Sequence, residues 1–304
     1  MTTTMQKAVT PQMSRAYVEG GYDRVAGFVV RAADVAFATS PSQLFEAHAL
    51  GFPGSPHRPD APHVDVLRFP ATPQLRFEDA VGGTDTETRA RTGGPFVDRP
   101  PFTGLGFVAV RDAVVPLSWV VHSRVPAGSQ LVRIGADGRE TTLATYVDVG
   151  HGWRSDVVPV TPPGPRVSRF VGPMAQWHGT YLSADPLEDG VVVVAEATPP
   201  DEPGFEQTPA GRWRRVVPAA EVTELFELMV TARWNGLPVR VVDQWTAPEG
   251  EAASRVSYTG HDADLAEGLR LEKVDAAVYE ATVPTAALQD VTPTQLVPAA
   301  WARG

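Results

Sequence analysis

A degenerate duplication in the second half of the chain constrains its fold more than any other feature. Ala175-Gln-Trp177-His-Gly179 is answered 57 residues later by Ala232-Arg-Trp234-Asn-Gly236. Each copy closes alike: Trp213 stands five residues before Pro218, and Tyr279 five before Pro284. Apolar residues follow each proline at +4 and +7, Val222 and Leu225 in one copy, Leu288 and Val291 in the other. Repetition at this period predicts two copies of one small supersecondary unit. In each, the indole is expected to pack a core while the glycine permits a tight turn.

Composition agrees with a β-dominated chain. The 304 residues carry 27 glycines and 29 prolines, which suits short strands joined by many turns, and 43% hydrophobic residues suffice for packed cores. The formal charge of −10 argues against nucleic acid or an anionic membrane as partner, because both need a concentrated positive field. No cysteine is present, which excludes disulfides, thiolate nucleophiles and Cys-ligated metals. Lys7 and Lys273 are the only lysines, and the bias towards arginine reads as that of a GC-rich genome. The N-terminal residues lack an apolar signal region and no run approaches a membrane span, so the expected location is the cytoplasm.

The expected organisation is α+β: an N-terminal mixed-sheet domain followed by two tandem β-rich repeats. Residues 1–13 are small, polar and patternless and read as a flexible lead. The N-terminal domain covers 14–157, with a strand from Val25 to Arg31 and a capped helix starting at Ser40-Pro41-Ser-Gln43, whose inner face carries Leu44, Ala47 and His48. Residues 73–101 read as a long surface excursion. A turn at Ala136-Asp-Gly138 joins a strand over 130–134 to one over 140–147. The Pro-rich stretch 158–168 reads as a linker, and the repeats occupy 169–228 and 229–304.

Candidate chemistry is sparse. His57, Asp60, His63 and Asp65, in a loop leading into a strand, are ligand types for zinc, iron or manganese, although their spacing matches no strong metal motif. His151 between Gly150 and Gly152 could act as an acid or base. A serine-hydrolase elbow, a phosphate-cradling loop and a zincin motif are all missing.

The order of elements over 25–150 resembles ADP-ribosyltransferase toxins of the Arg–Ser–Glu type. Gly27-Phe-Val-Val-Arg31 looks like the first-strand arginine segment, Phe102-Thr-Gly-Leu105 falls where the Ser-Thr-Ser strand would, and Gly138-Arg-Glu140 resembles Glu-x-Glu. Val125-Pro-Ala-Gly128 resembles the family's Val-Pro-x-Gly link. The central serine is absent and Gly138 replaces the first glutamate. The resemblance implies that Arg31 would hold the NAD phosphates and Glu140 would stabilise the cationic ribose.

The leading expectation is a non-catalytic interaction protein that binds a protein partner through Trp177, Trp234 and Trp245. The alternative is an NAD-consuming enzyme using Arg31 and Glu140, with NAD as substrate and no resident cofactor. A metal-dependent hydrolase built on the His57 to Asp65 loop is the third reading.

Overall fold

The computed structural model describes residues 3–196 and 198–301. Met1 and Thr2 of the expected lead, Ala197 of the first repeat and residues 302–304 of the second lie outside the described residues. The chain is mostly β, with 47% strand and 13% helix.

The first half supplies β1 (Thr4–Val9), α1 (Pro11–Gly20), β2 (Arg24–Arg31), α2 (Pro41–Ala47), β3 (His63–Pro70), β4 (Phe77–Asp79), β5 (Gly82–Gly83), α3 (Thr86–Thr92), β6 (Phe96–Val97), β7 (Phe107–Val110), β8 (Ala113–Pro116), β9 (Ser118–Arg124), β10 (Gln130–Gly135), β11 (Glu140–Asp148) and β12 (Gly152–Arg154). Eight of these strands build an antiparallel sheet in the order β12-β11-β10-β3-β1-β2-β9-β4. Tyr17 of α1 and Trp153 cover one face with Leu67, Phe69 and Leu131. Leu44 and Ala47 of α2 cover the other with Val64, Val66 and Ile134.

Local chemistry explains the helix starts. Thr10 accepts a bond from the Met13 amide with Pro11 in the first helical turn, and Gly21, left-handed at φ 62°, ends α1. The cap expected at α2 forms in part: Ser40 accepts from the Gln43 amide, but Gln43 Oε1 accepts from the amide of Thr39, one residue before the cap.

The second half supplies β13 (Pro173–Trp177), β14 (Thr180–Leu187), β15 (Gly190–Ala195), β16 (Glu206–Gln207), β17 (Trp213–Val217), β18 (Val222–Trp234), β19 (Leu237–Thr246), β20 (Ala252–Tyr258), α4 (Ala263–Gly268), β21 (Glu272–Asp275), β22 (Val278–Pro284) and β23 (Gln289–Leu296). They form one sheet, β16-β17-β15-β14-β13-β18-β19-β20-β22-β21, with β23 also on β18. The Trp-x-Gly motifs are its hairpin turns. Trp177 pairs with Thr180 and Trp234 with Leu237, so each loop has two residues, His178-Gly179 and Asn235-Gly236, all at positive φ (46°, 77°, 48°, 77°). This is the type I′ turn that matches strand twist, and it explains the fixed glycine.

Three expectations are corrected. The described part of the 1–13 lead is ordered: β1 lies between β3 and β2, and Met5 to Val9 are all buried. Its polar Gln6 and Lys7 hide the strand from a hydrophobicity reading because both are buried with polar partners. The 73–101 excursion is a surface feature only in part: α3 has no buried residue, but Ala80, Phe96 and Val97 are buried, and the Val97 amide bonds to the His261 carbonyl in the second half. A Cβ on Gly94 would fall 1.9 Å from the Val81 carbonyl oxygen, so only glycine permits that backbone contact. Finally, the 158–168 stretch is a packed strap between the sheets. Its Thr161 amide bonds to the Val18 carbonyl, Gly164 and Arg166 carbonyls accept from Arg212, and Val167 is buried.

Candidate functional site

Two features of the first sheet create a cleft. β1 and β2 pair at only two positions, Met5 with Arg31 and Gln6 with Val30. Beyond these, the tip of the β21–β22 hairpin adds Ala277 and Val278 to the apolar core beside Ala8 and Val30. Gly27, at φ 97° beside a bulge, admits this tip: a Cβ there would sit 2.8 Å from Val278 and 3.1 Å from Lys7 Nζ.

Lys7 meets the hairpin at the cleft floor. Its Nζ lies 2.7 Å from Asp275 Oδ2 and donates to the Phe28 carbonyl at 3.3 Å; the paired side chains are 6% and 10% exposed. Around the pair, Phe28, Leu50, Phe52, Phe102, Phe107 and Leu117 line ≈ 650 Å³ of empty space counted out to the mouth. Aromatic rings crowd this space from several sides, so the cleft is a narrow slot. Phe28 and Phe102 stack at 5.3 Å, and Lys273 lies 5.6 Å over Phe52. Lys7 lines the slot itself, whereas Lys273, held by Glu267 at 3.2 Å, reaches it only through the Phe52 ring.

Two more polar groups, Asp98 and His48, line it. Burial pushes the Asp98 carboxyl above the usual carboxylate range, against the bond it accepts from the Arg99 amide. Arg99 is held outward by Glu267 and Asp264. Burial, with the Lys7 and His57 charges added, lowers His48 to about 3 and keeps its ring neutral.

A polar chain orients that ring. Arg68 donates two bonds to Glu140 at 2.6 and 2.7 Å and one to Gln6 Oε1 at 2.9 Å, which leaves the Gln6 amide to donate to His48 Nε2 at 3.1 Å. His48 Nδ1 therefore carries the ring proton. The folded-state pKa of His48 lies below its unfolded value, so its neutral form contributes stability above about pH 6.5 that is lost as pH falls towards 3. His48→Gln should flatten the fall in urea-unfolding stability between about pH 6.5 and 5, a window above most carboxylate titration. An unchanged slope would mean that His48 does not carry it.

The residues singled out from sequence are scattered. Arg31 is exposed at the end of β2, opposite Met5, whose β3 partner is Phe69; Glu140 pairs across β10 with the Val64 end of β3. Three strands separate β2 from β11, and the hydrogen bonds from Arg68 hold the Glu140 carboxyl below its usual range. The two do not converge on one site. Trp177 is 1% exposed, with His178 stacked on it at 4.1 Å and Arg215 at 4.9 Å, so it is a core residue and no anchor. Trp234 and Trp245 are half-buried, and Trp245 lines an open groove with Arg24, Arg166, Asp243, Thr246 and Arg255.

His57, His63 and Asp65 line one cavity and Asp60 is exposed outside it. Among the described residues no three His, Asp or Glu side chains are grouped to hold a metal ion. His151 contacts Asp148 at 3.3 Å, and Asp148 is also bound by Arg214, at the junction with β17. No helix among the described residues is long and apolar enough to cross a membrane.

Sequence reasoning missed Lys7, Asp98 and Asp275. One signal could have found the first: in a chain that uses arginine almost everywhere, Lys7 is one of only two lysines. Comparison with family models, with curated proteins and with solved structures gives no match, and the functional reading rests on the slot's own geometry.

Proposed function

We propose that the protein binds a slender, largely apolar small molecule with one polar end, held in the slot between the first sheet and the β21–β22 tip. The observation that carries this reading is a buried lysine–aspartate pair at the floor of an aromatic slot. An apolar wall with a few fixed polar groups is the usual make-up of a small-ligand site. Each polar group is already engaged by the protein: Lys7 by Asp275, His48 by Gln6 and Asp98 by the Arg99 amide. Groups so held orient a ligand, which favours binding over catalysis. The placement of Arg31 and Glu140 lends no support to NAD consumption.

On the same reading the chain is α+β overall, and its second half is a duplicated unit sharing one strand. The N-terminal part of β18 closes the first copy on β13, and its C-terminal part opens the second on β19. The order β16-β17-β15-β14-β13-β18 is matched by β21-β22-β20-β19-β18-β23. Gly211 (φ 75°) and Ala277 (φ 53°) take the same left-handed place before β17 and β22. Both hairpin tips dock on the first half, through Arg212 to the Val149 carbonyl and through Asp275 to Lys7. The duplication therefore serves to clamp the first sheet and complete the slot.

A protein partner is the second reading. It is favoured by Trp245, which lines the arginine-flanked groove.

The test uses cis-parinaric acid, a slender fluorescent polyene with one anionic end. Saturable binding with enhanced fluorescence is expected for the native chain. Thr103→Trp, a bulky group at an exposed position of the lining, should weaken it about tenfold, the effect of blocking roughly 1.4 kcal/mol of contact. Equal binding by the variant, with its circular dichroism unchanged, would place the probe elsewhere and remove the support for the slot.

A further inference from the structure

A second cavity, of ≈ 480 Å³ counted to its mouth, lies where α1, the loop before β3 and β10 meet, and Ser14, Arg15, His57, His63, Asp65 and Arg133 line it. We propose that this cavity binds the phosphate group of a small phosphorylated compound. The site shares no lining residue with the slot, although His57 is within electrostatic reach of Lys7 and Asp275, and its case does not depend on the proposed function.

The histidines and Asp65 are those whose residue types suggest a metal, and the structure turns that chemistry round. Asp65 is saturated: it accepts bonds from Arg133 Nε at 2.8 Å, Arg133 Nη2 at 2.9 Å and Ser14 Oγ at 2.6 Å. A carboxylate so occupied is a poor ligand for a cation, and it fixes the Arg133 guanidinium at the cavity wall. What remains is donor-rich. Among the described residues Arg15 has no ion-pair partner, and neither the His57 nor the His63 ring makes a hydrogen bond. Two guanidinium groups against one carboxylate leave a local positive charge, within a chain whose formal charge is −10.

An unpaired guanidinium and two imidazoles around a concavity suit an anion, and their spread over three elements suits a tetrahedral one. A planar carboxylate presents two oxygens, whereas a phosphate monoester presents three terminal oxygens to donors arriving from different sides. The cavity exceeds what a bare phosphate would fill, so the fourth oxygen is assigned to an ester substituent.

Calorimetric titration with glycerol 3-phosphate, inorganic phosphate and acetate tests this. The ester should bind most tightly, and acetate about tenfold more weakly than phosphate or not at all. Arg15→Gln should weaken both phosphates about tenfold, the effect of losing one charged hydrogen-bonding group. Arg15 is exposed and unpaired among the described residues, so this variant should keep the native circular dichroism. Arg58→Gln, which alters the same loop outside the lining, and Thr103→Trp in the slot should both leave phosphate affinity unchanged. Acetate binding as tightly as phosphate, Arg15→Gln binding like the parent, or inorganic phosphate outbinding the ester would each overturn the assignment.

Discussion

Lys7→Met should lower the stability of the chain by about 3–5 kcal/mol, the usual result of breaking a buried ion pair by removing one partner. The methionine keeps most of the side-chain volume, so packing is not the cause. What is lost is the ammonium 2.7 Å from Asp275, and the carboxylate left behind is only 10% exposed. An unpaired carboxylate in such a place must either protonate or draw the β21–β22 tip out towards water. The second route has a local signature. Ala277 and Val278 would leave the core they share with Ala8 and Val30, and amides of residues 275–278 would exchange with solvent faster than those of β19 and β20. The double variant Lys7→Met/Asp275→Leu should recover much of the loss, since replacing a buried pair by apolar groups is often neutral. Urea titration followed by tryptophan fluorescence measures both. A single variant that loses less than about 1 kcal/mol would show that the pair behaves as a solvated one and that the slot floor is wet.

That pair also marks where sequence reading succeeds and where it stops. Features fixed by neighbours along the chain were legible. The Trp-x-Gly turns, the Ser40 cap and the turn before Glu140 each follow from residues within a few positions of one another. The Pro-rich stretch lies between the last strand of the first sheet and the first of the second, but as a packed strap and not as a linker. Features fixed across the chain were not. β1 looks like a polar lead because Gln6 and Lys7 are satisfied by His48, Arg68 and Asp275, none of them near in sequence. Glu140 looks like half of a catalytic motif, yet its partner is Arg68 on β3 and its effect reaches the slot only through Gln6. Trp177 has the same local sequence pattern as Trp234 and is far more buried, because Phe205 and the Arg215 guanidinium close over it while Trp234 has no such cover among the described contacts. Apolar periodicity reports which side of a strand faces inward, and it carries no information about buried polar groups whose partners arrive from other elements.

Arg240→Met should be as damaging as Lys7→Met, at about 3–5 kcal/mol, and for a related reason. Arg240 on β19 donates to Glu227 on β18 at 2.8 Å, to the Phe170 carbonyl at 3.1 Å and to the His122 carbonyl on β9 of the first sheet. Both side chains of the pair are 4% exposed or less. Removing the guanidinium leaves a buried carboxylate with, among the described residues, only the Gly172 amide at 3.2 Å, and two carbonyls without this donor. Arg233 offers the control: its contact with Asp290 is 3.9 Å long and both side chains are more than half exposed, so Arg233→Ala should change stability by no more than about 0.5 kcal/mol. The location of Arg240 makes the two measurements more than a comparison of burial. Its bond to His122, together with Arg124 reaching the carbonyls of Ala184, Ser168 and Val171, ties the sheets through buried guanidinium groups, beside the apolar contacts of Val149 with Val192 and Val194 and of Ala277 and Val278 with Ala8 and Val30. Such bonds need their geometry, so weakening one should loosen the whole contact. Near-ultraviolet and far-ultraviolet denaturation curves that coincide in the native chain should separate in Arg240→Met, as the halves unfold apart. Coincident curves at an unshifted midpoint would mean that the sheets are joined mainly by these apolar contacts, and that the guanidinium network only fills the space between them.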